Sequence, residues 1–178
     1  MVAITRTWFR SSSGSVLATL ALGACGDSSG PKDAFPDAEG VYEVTGTFDG
    51  IASSDAHFSG TLTLSQPTRA AGTLGGSAAY TATIGARTYD LSDDSLSGAF
   101  VSSDGAVTYT MGEASATWTF TGRLSGSSIM DGRHTLSEGS GSVSGDWSAI
   151  RATTASRALP AMRPAPKALT ALARRLAH

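Results

Sequence analysis

Residues 115–125 read SATWTFTGRLS. Ala116, Trp118, Phe120, Gly122 and Leu124 fall at every second position, and the residues between them, Ser115, Thr117, Thr119, Thr121 and Arg123, are polar. Extended backbone sends successive side chains to opposite faces, so this stretch predicts a strand with one dry face and one wet face. The alternation recurs. Tyr42, Val44, Gly46 and Phe48 oppose Glu43, Thr45 and Thr47; Phe58, Gly60, Leu62 and Leu64 oppose Ser59, Thr61 and Thr63; Val107, Tyr109 and Met111 oppose Thr108 and Thr110. Weaker strand signals cover 71–75, 78–84, 87–91, 96–101, 128–137 and 142–150. Asp49-Gly50, Gly75-Gly76, Asp104-Gly105 and Asp131-Gly132 supply the positive φ that tight hairpins need. With no helical pattern between the strands, the reading is all-β: a single antiparallel up-and-down β-barrel of about 8 to 10 strands over 41–151.

Five pentapeptides place a glycine two residues from an apolar neighbour on either side: VTGTF at 44–48, FSGTL at 58–62, LSGAF at 96–100, FTGRL at 120–124 and VSGDW at 143–147. Alternation points all five glycines inward. A strand-interior glycine costs roughly 0.5–1 kcal/mol relative to alanine, so something must offset it. A sheet that closes on itself must coil sharply, and a glycine at the bend leaves room for a Phe, Trp or Leu from a neighbouring strand. The spacings are irregular, which excludes a solenoid or propeller of fixed period.

The N-terminus carries Arg6 and Arg10, then the short apolar run SVLATLALGA at 15–24, then Cys25. That run is too short to span a bilayer, which needs about 20 apolar residues. Leu22, Gly23, Ala24 and Cys25 resemble the lipobox of a bacterial lipoprotein signal. The resemblance implies that 1–24 is a signal peptide, that the mature chain begins at a lipidated Cys25, and that the protein is held to a membrane of the bacterial cell envelope. An ordinary secretory signal with an incidental cysteine is the other reading. Cys25 is the one cysteine in the chain, so no disulfide can staple the barrel. Residues 25–40 are rich in Gly, Ser, Pro and Asp with Phe35 as their single large apolar residue, and read as a flexible tether.

Charge is segregated. Residues 26–151 hold all fifteen acidic residues against six basic ones, a net −9, whereas 152–178 hold five basic residues and no acid. An acidic barrel is a poor nucleic-acid partner. The tail 152–178 passes Pro160, Pro164 and Pro166, then sets Leu169, Leu172, Ala173 and Leu176 on one helical face against Lys167, Arg174 and Arg175. It reads as a segment that touches anionic lipid, as one that folds back on the barrel, or as a fraying terminus, since about 12 residues make a marginal helix in water.

Catalytic signatures are sparse. The β region 41–151 has no Gly-x-Ser-x-Gly elbow, no His-Glu-x-x-His and no phosphate-binding loop, and the reading is of a protein that is not an enzyme and holds no metal or cofactor. His57 reads as preceding a strand and His134 as following a turn, both ordinary surface or strand-end histidines. Asp90, Ser92 and Asp94 alternate as in a calcium loop but lack its glycine and distal Glu.

The region 41–151 resembles the small calycin-type barrels, the lipocalins and avidins, in pattern. Gly145-Asp146-Trp147 matches the Gly-x-Trp of lipocalins, placed here on the last strand and followed by Arg151. That resemblance implies a small apolar ligand inside the barrel, with Trp118, Phe120, Tyr109, Phe58 and Trp147 as candidate ligand-binding residues. The alternative is a solidly packed barrel that meets an envelope protein partner with its outer face. A membrane-spanning barrel fits less well, because its Ser/Thr faces would meet lipid.

Overall fold

The computed structural model describes residues 34–126, 129–153 and 168–176. Cys25, the signal peptide 1–24 and residues 154–167 lie outside the described residues. The elements are β1 (Gly40–Thr47), β2 (Ala56–Ser65), β3 (Gly75–Ile84), β4 (Arg87–Asp93), β5 (Ser97–Val101), β6 (Ala106–Glu113), β7 (Ala116–Ser125), β8 (Ile129–Glu138), β9 (Gly141–Arg151) and α1 (Ala168–Leu176). All nine strands form one curled sheet in the order β4-β3-β2-β1-β9-β8-β7-β6-β5. Every neighbour is antiparallel. This is the all-β, up-and-down architecture the alternation predicts.

Closure explains the strand count. Passing from β4 to β5 through an odd number of antiparallel strands leaves those two edges running the same way, as one strand broken at Asp94–Leu96. Its first half pairs with β3 and its second half with β6. The break and the second half also meet the start of β3 and the segment leading into it: Leu96 N–H donates to Gly76 O (3.0 Å), Leu74 N–H to Ala99 O (3.0 Å) and Val101 N–H to Gly72 O (2.7 Å). These bonds stitch the seam and satisfy an edge that would otherwise invite pairing with another chain.

At the ends of β4 and β6 the Gly112 N–H donates to Asp93 Oδ2 (3.1 Å), and α1 packs across β4, β6, β7, β8 and β9. The helix buries Leu169, Thr170, Leu172 and Ala173, the inner stripe of its amphipathic pattern. Glu113 serves its first turn, with Leu169 N–H donating to Oε2 at 2.7 Å. At the other end Arg174 Nε donates to Glu138 Oε1 at 2.9 Å. Folding back on the acidic barrel is thus the state of 168–176. Leu172 is 0% exposed, so Leu172→Ala should cost about 2–5 kcal/mol in urea unfolding. Arg174→Ala, at a surface pair 71% exposed on the Arg side, should change little.

Four expectations need correction. Asp131-Gly132 is no turn: Gly132 lies mid-strand in β8 between Gly122 and Trp147. Gly75-Gly76 opens β3 instead of a hairpin, and within 71–74 only Thr73 forms a bridge, to Phe100. Gly98 faces outward at a φ of 58°, in a register shift between Ser97 and Phe100 that exposes Phe100 and turns Ala99 and Val101 inward. Residues 34–40, read as tether, dock on the barrel. Ala38 is 0% exposed and its N–H donates to Gln66 Oε1 (3.0 Å), Phe35 meets Phe100 edge-on, and Arg151 Nη2 donates to Asp37 O (2.9 Å).

Candidate functional site

The five candidate residues do come together. Trp118 and Phe120 project inward from β7, Tyr109 from β6, Phe58 from β2 and Trp147 from β9, and none is more than 3% exposed. They touch one another. Ring centroids stand 4.7 Å apart for Tyr109–Phe120, 4.8 Å for Phe58–Trp118, 4.9 Å for Trp118–Phe120 and 5.6 Å for Phe120–Trp147. Rings at such spacings are in van der Waals contact, so a guest between them would have to displace one. Phe48, Tyr80 and His134 complete the stack.

The glycines make this packing possible. A Cβ on Gly46 would lie 2.2 Å from the Phe58 ring, one on Gly60 2.9 Å from the Tyr80 ring, one on Gly122 2.8 Å from the Trp147 ring and one on Gly145 2.6 Å from His134 Nε2. At Gly46 the ring is the nearest obstacle; at Gly60, Gly122 and Gly145 a backbone carbonyl of Ala79, Asp131 or Thr47 lies closer still, so these glycines admit both the ring and the close approach of strands.

The polar atoms of the aromatic stack are paired. Trp118 Nε1–H donates to His134 Nδ1 (3.0 Å), and His134 Nε2 donates to Thr47 O (2.8 Å), which fixes the neutral Nε2–H tautomer. Tyr80 and Tyr109 share a hydroxyl bond of 2.9 Å. The Trp147 indole N–H is shared between Thr121 O (3.0 Å) and Arg133 O (3.2 Å). His134 is therefore a core residue at 1% exposure, not a strand-end one. Sequence could have found it: Met130, Gly132, His134 and Leu136 alternate once Asp131-Gly132 is read through as strand.

Burial pushes His134 below its ordinary value of 6.5, with Arg133 adding to the effect and the Thr47 carbonyl opposing it. Burial likewise raises Tyr80 and Tyr109 above 10.0. The signs follow from linkage. Below pH 6.5 the unfolded chain gains a proton that buried His134 does not, so stability falls as pH drops. Above pH 10.0 the unfolded chain loses tyrosine protons that the folded one keeps, so stability falls again. The urea midpoint should therefore be flat between these limits and decline on both sides; a midpoint unchanged from about pH 7 to about pH 5 would contradict the His134 placement.

A different concavity lies on the outer wall. A cavity of about 400 Å³ opens over β1, β2 and β9, with Thr45, Thr47, His57, Ser59, Asp146 and Ser148 around it and Gly46, Phe58 and Trp147 beneath. Phe58 and Trp147 are 1% and 3% exposed, so they form its floor and present little ring to solvent. Register builds the rim. Thr45 stands opposite Ser59 on β2 and Ser148 on β9, and Thr47 stands opposite His57. Thr45 Oγ1 and Ser148 Oγ are 3.4 Å apart. Arg133 Nη1 donates to Asp146 Oδ1 (2.8 Å), and its Nη2 pairs with Asp49. His57 Nδ1 donates to Ser53 O (3.1 Å). Sequence reasoning missed this site because strand coiling, not any motif, creates it. A second hollow, beneath α1 and beside Leu136 and Ala173, has about 10 Å³, room for one water at most.

No family model matches the chain, and no curated protein matches it. Among solved structures it is similar to the S-type phycobiliprotein lyase from Guillardia theta, at 8% sequence identity and a TM-score of 0.41, over 66% of this chain and 89% of that one.

Proposed function

We propose that this chain is a non-catalytic lipoprotein of the bacterial cell envelope, held to the bilayer through acylated Cys25, whose packed barrel engages its partner with the outer wall. The contact of ring on ring through the interior carries this reading. A carrier of a small apolar ligand among Trp118, Phe120, Tyr109, Phe58 and Trp147 would need one of those rings to leave the stack and its hydrogen bond, as Trp118 would from His134. Proteins recognise with what they present, and this one presents Ser, Thr and charged residues on a rigid wall. The lipobox resemblance supports the anchor, since one acyl chain binds only marginally and two or more hold stably.

The test is fractionation of cells that express the full chain. Wild-type protein should sediment with membranes, enter the detergent phase on partition, and carry a mass increment on Cys25. Cys25→Ser should abolish all three. Wild-type protein found free of membranes with an unmodified cysteine would overturn the anchor.

A further inference from the structure

We propose that the outer-wall cavity over β1, β2 and β9 is a binding site for a short neutral saccharide. The rim decides the ligand class. Thr45, Thr47, Ser59 and Ser148 offer hydroxyls, each able both to donate and to accept, and Thr47 and Ser59 have no side-chain partner among the described residues. The carboxylate of Asp146 adds acceptors and the His57 imidazole a further polar group at the same rim.

Other ligand classes fit poorly. An anion would meet Asp146 and find no free cation, because the nearby Arg133 is already held by Asp49 and Asp146. A cation would have to compete with Arg133 for Asp146. An apolar molecule would touch mostly carbon of the wall but find no ring to stack on, since Phe58 and Trp147 are buried beneath the floor. A polyol has the matching chemistry. Ser59, Thr45 and Ser148 lie side by side on three adjacent strands, with Thr45 Oγ1 and Ser148 Oγ 3.4 Å apart, a row of hydroxyls that neighbouring hydroxyls of one polyol can bridge. A volume of about 400 Å³ is in the range of small-molecule sites and suits a disaccharide.

This extends the reading of the outer wall as the working surface and does not depend on the Cys25 anchor. The experiment uses the mature, ¹⁵N-labelled protein in micelles of a detergent without a sugar headgroup. Cellobiose, lactose and N,N′-diacetylchitobiose are titrated in turn while amide shifts are followed. At least one should give saturable shifts centred on Thr45, Thr47, Ser59 and Ser148, with roughly millimolar affinity. Thr45→Val and Ser148→Ala should each weaken that binding by about fivefold with the urea midpoint unchanged. No saturable shift with any of the three at about 50 mM, shifts spread over the whole barrel, or affinity unaltered in both variants would overturn the site. Saturable binding by a Cys25→Ser protein would support the site independently of the anchor; no binding by wild-type protein that does sediment with membranes would overturn the site and leave the anchor standing.

Discussion

Gly132→Ala is expected to destabilise the barrel by about 3 kcal/mol or more, among the largest effects of any single methyl group added to this chain. The added Cβ would lie 1.8 Å from Thr121 O and 2.5 Å from the Cα of Gly122. Both are backbone atoms of the paired strand β7, so no rotamer change relieves the clash; the strands must part and lose ladder hydrogen bonds. Gly112→Ala is the control. Gly112 also lies within a strand, β6, but nothing stands within 4 Å of its Cβ position, and the change should be neutral or slightly stabilising. Gly46→Ala separates the two kinds of crowding. Its nearest clash is with the Phe58 ring at 2.2 Å, a side chain, with Asp146 O following at 2.9 Å. Pairing it with Phe58→Leu should recover part of the loss, and a double-mutant cycle with no coupling would contradict the ring-for-Cβ exchange.

Trp118→Ala should cost about 3–5 kcal/mol, because it removes the ring at the centre of the aromatic stack. It also takes the donor from His134 Nδ1, a buried acceptor left without a partner. The packed interior makes a further demand. Where Trp118 was, a cavity opens with Phe48, Phe58, Tyr80, Phe120 and His134 on its walls. Apolar cavities of this kind bind small aromatic molecules, and indole would restore both the ring and the N–H donor. Added indole should raise the melting temperature of Trp118→Ala in a concentration-dependent way and leave wild type unchanged. Equal stabilisation of wild type would show that room for a ring already exists inside.

Much of the fold is legible because alternation is local. SATWTFTGRLS and its relatives carry the strand period in the residues themselves, and Asp49-Gly50 and Asp104-Gly105 take positive φ at their glycines, as hairpin turns should. Asp131-Gly132 misleads because the same dipeptide serves a tight turn or a close strand crossing, and only the distant Trp147 and Gly122 decide between them. Gly98 breaks the pattern of its four counterparts for the same reason, through a bulge set by how β5 meets both β6 and the segment before β3. Composition makes 34–40 look like linker, yet Ala38, Phe35 and Asp37 are held by Gln66, Phe100 and Arg151, partners 28 or more residues away. The candidate rings were readable as an inward face. Whether such rings fill a barrel or line it is a question of volume, and volume depends on how far the glycines let the wall approach. The outer cavity depends on the same coiling, and its Ser and Thr residues look in sequence like any wet strand face.

The central claim is that the interior is full. Native mass spectra of the protein purified from its own membranes, before and after mild denaturation, test it most directly. The account predicts one mass in both states, that of the polypeptide with its covalent lipid. An apolar adduct present in the folded protein and lost on unfolding would contradict the packed interior and restore the barrel as a carrier.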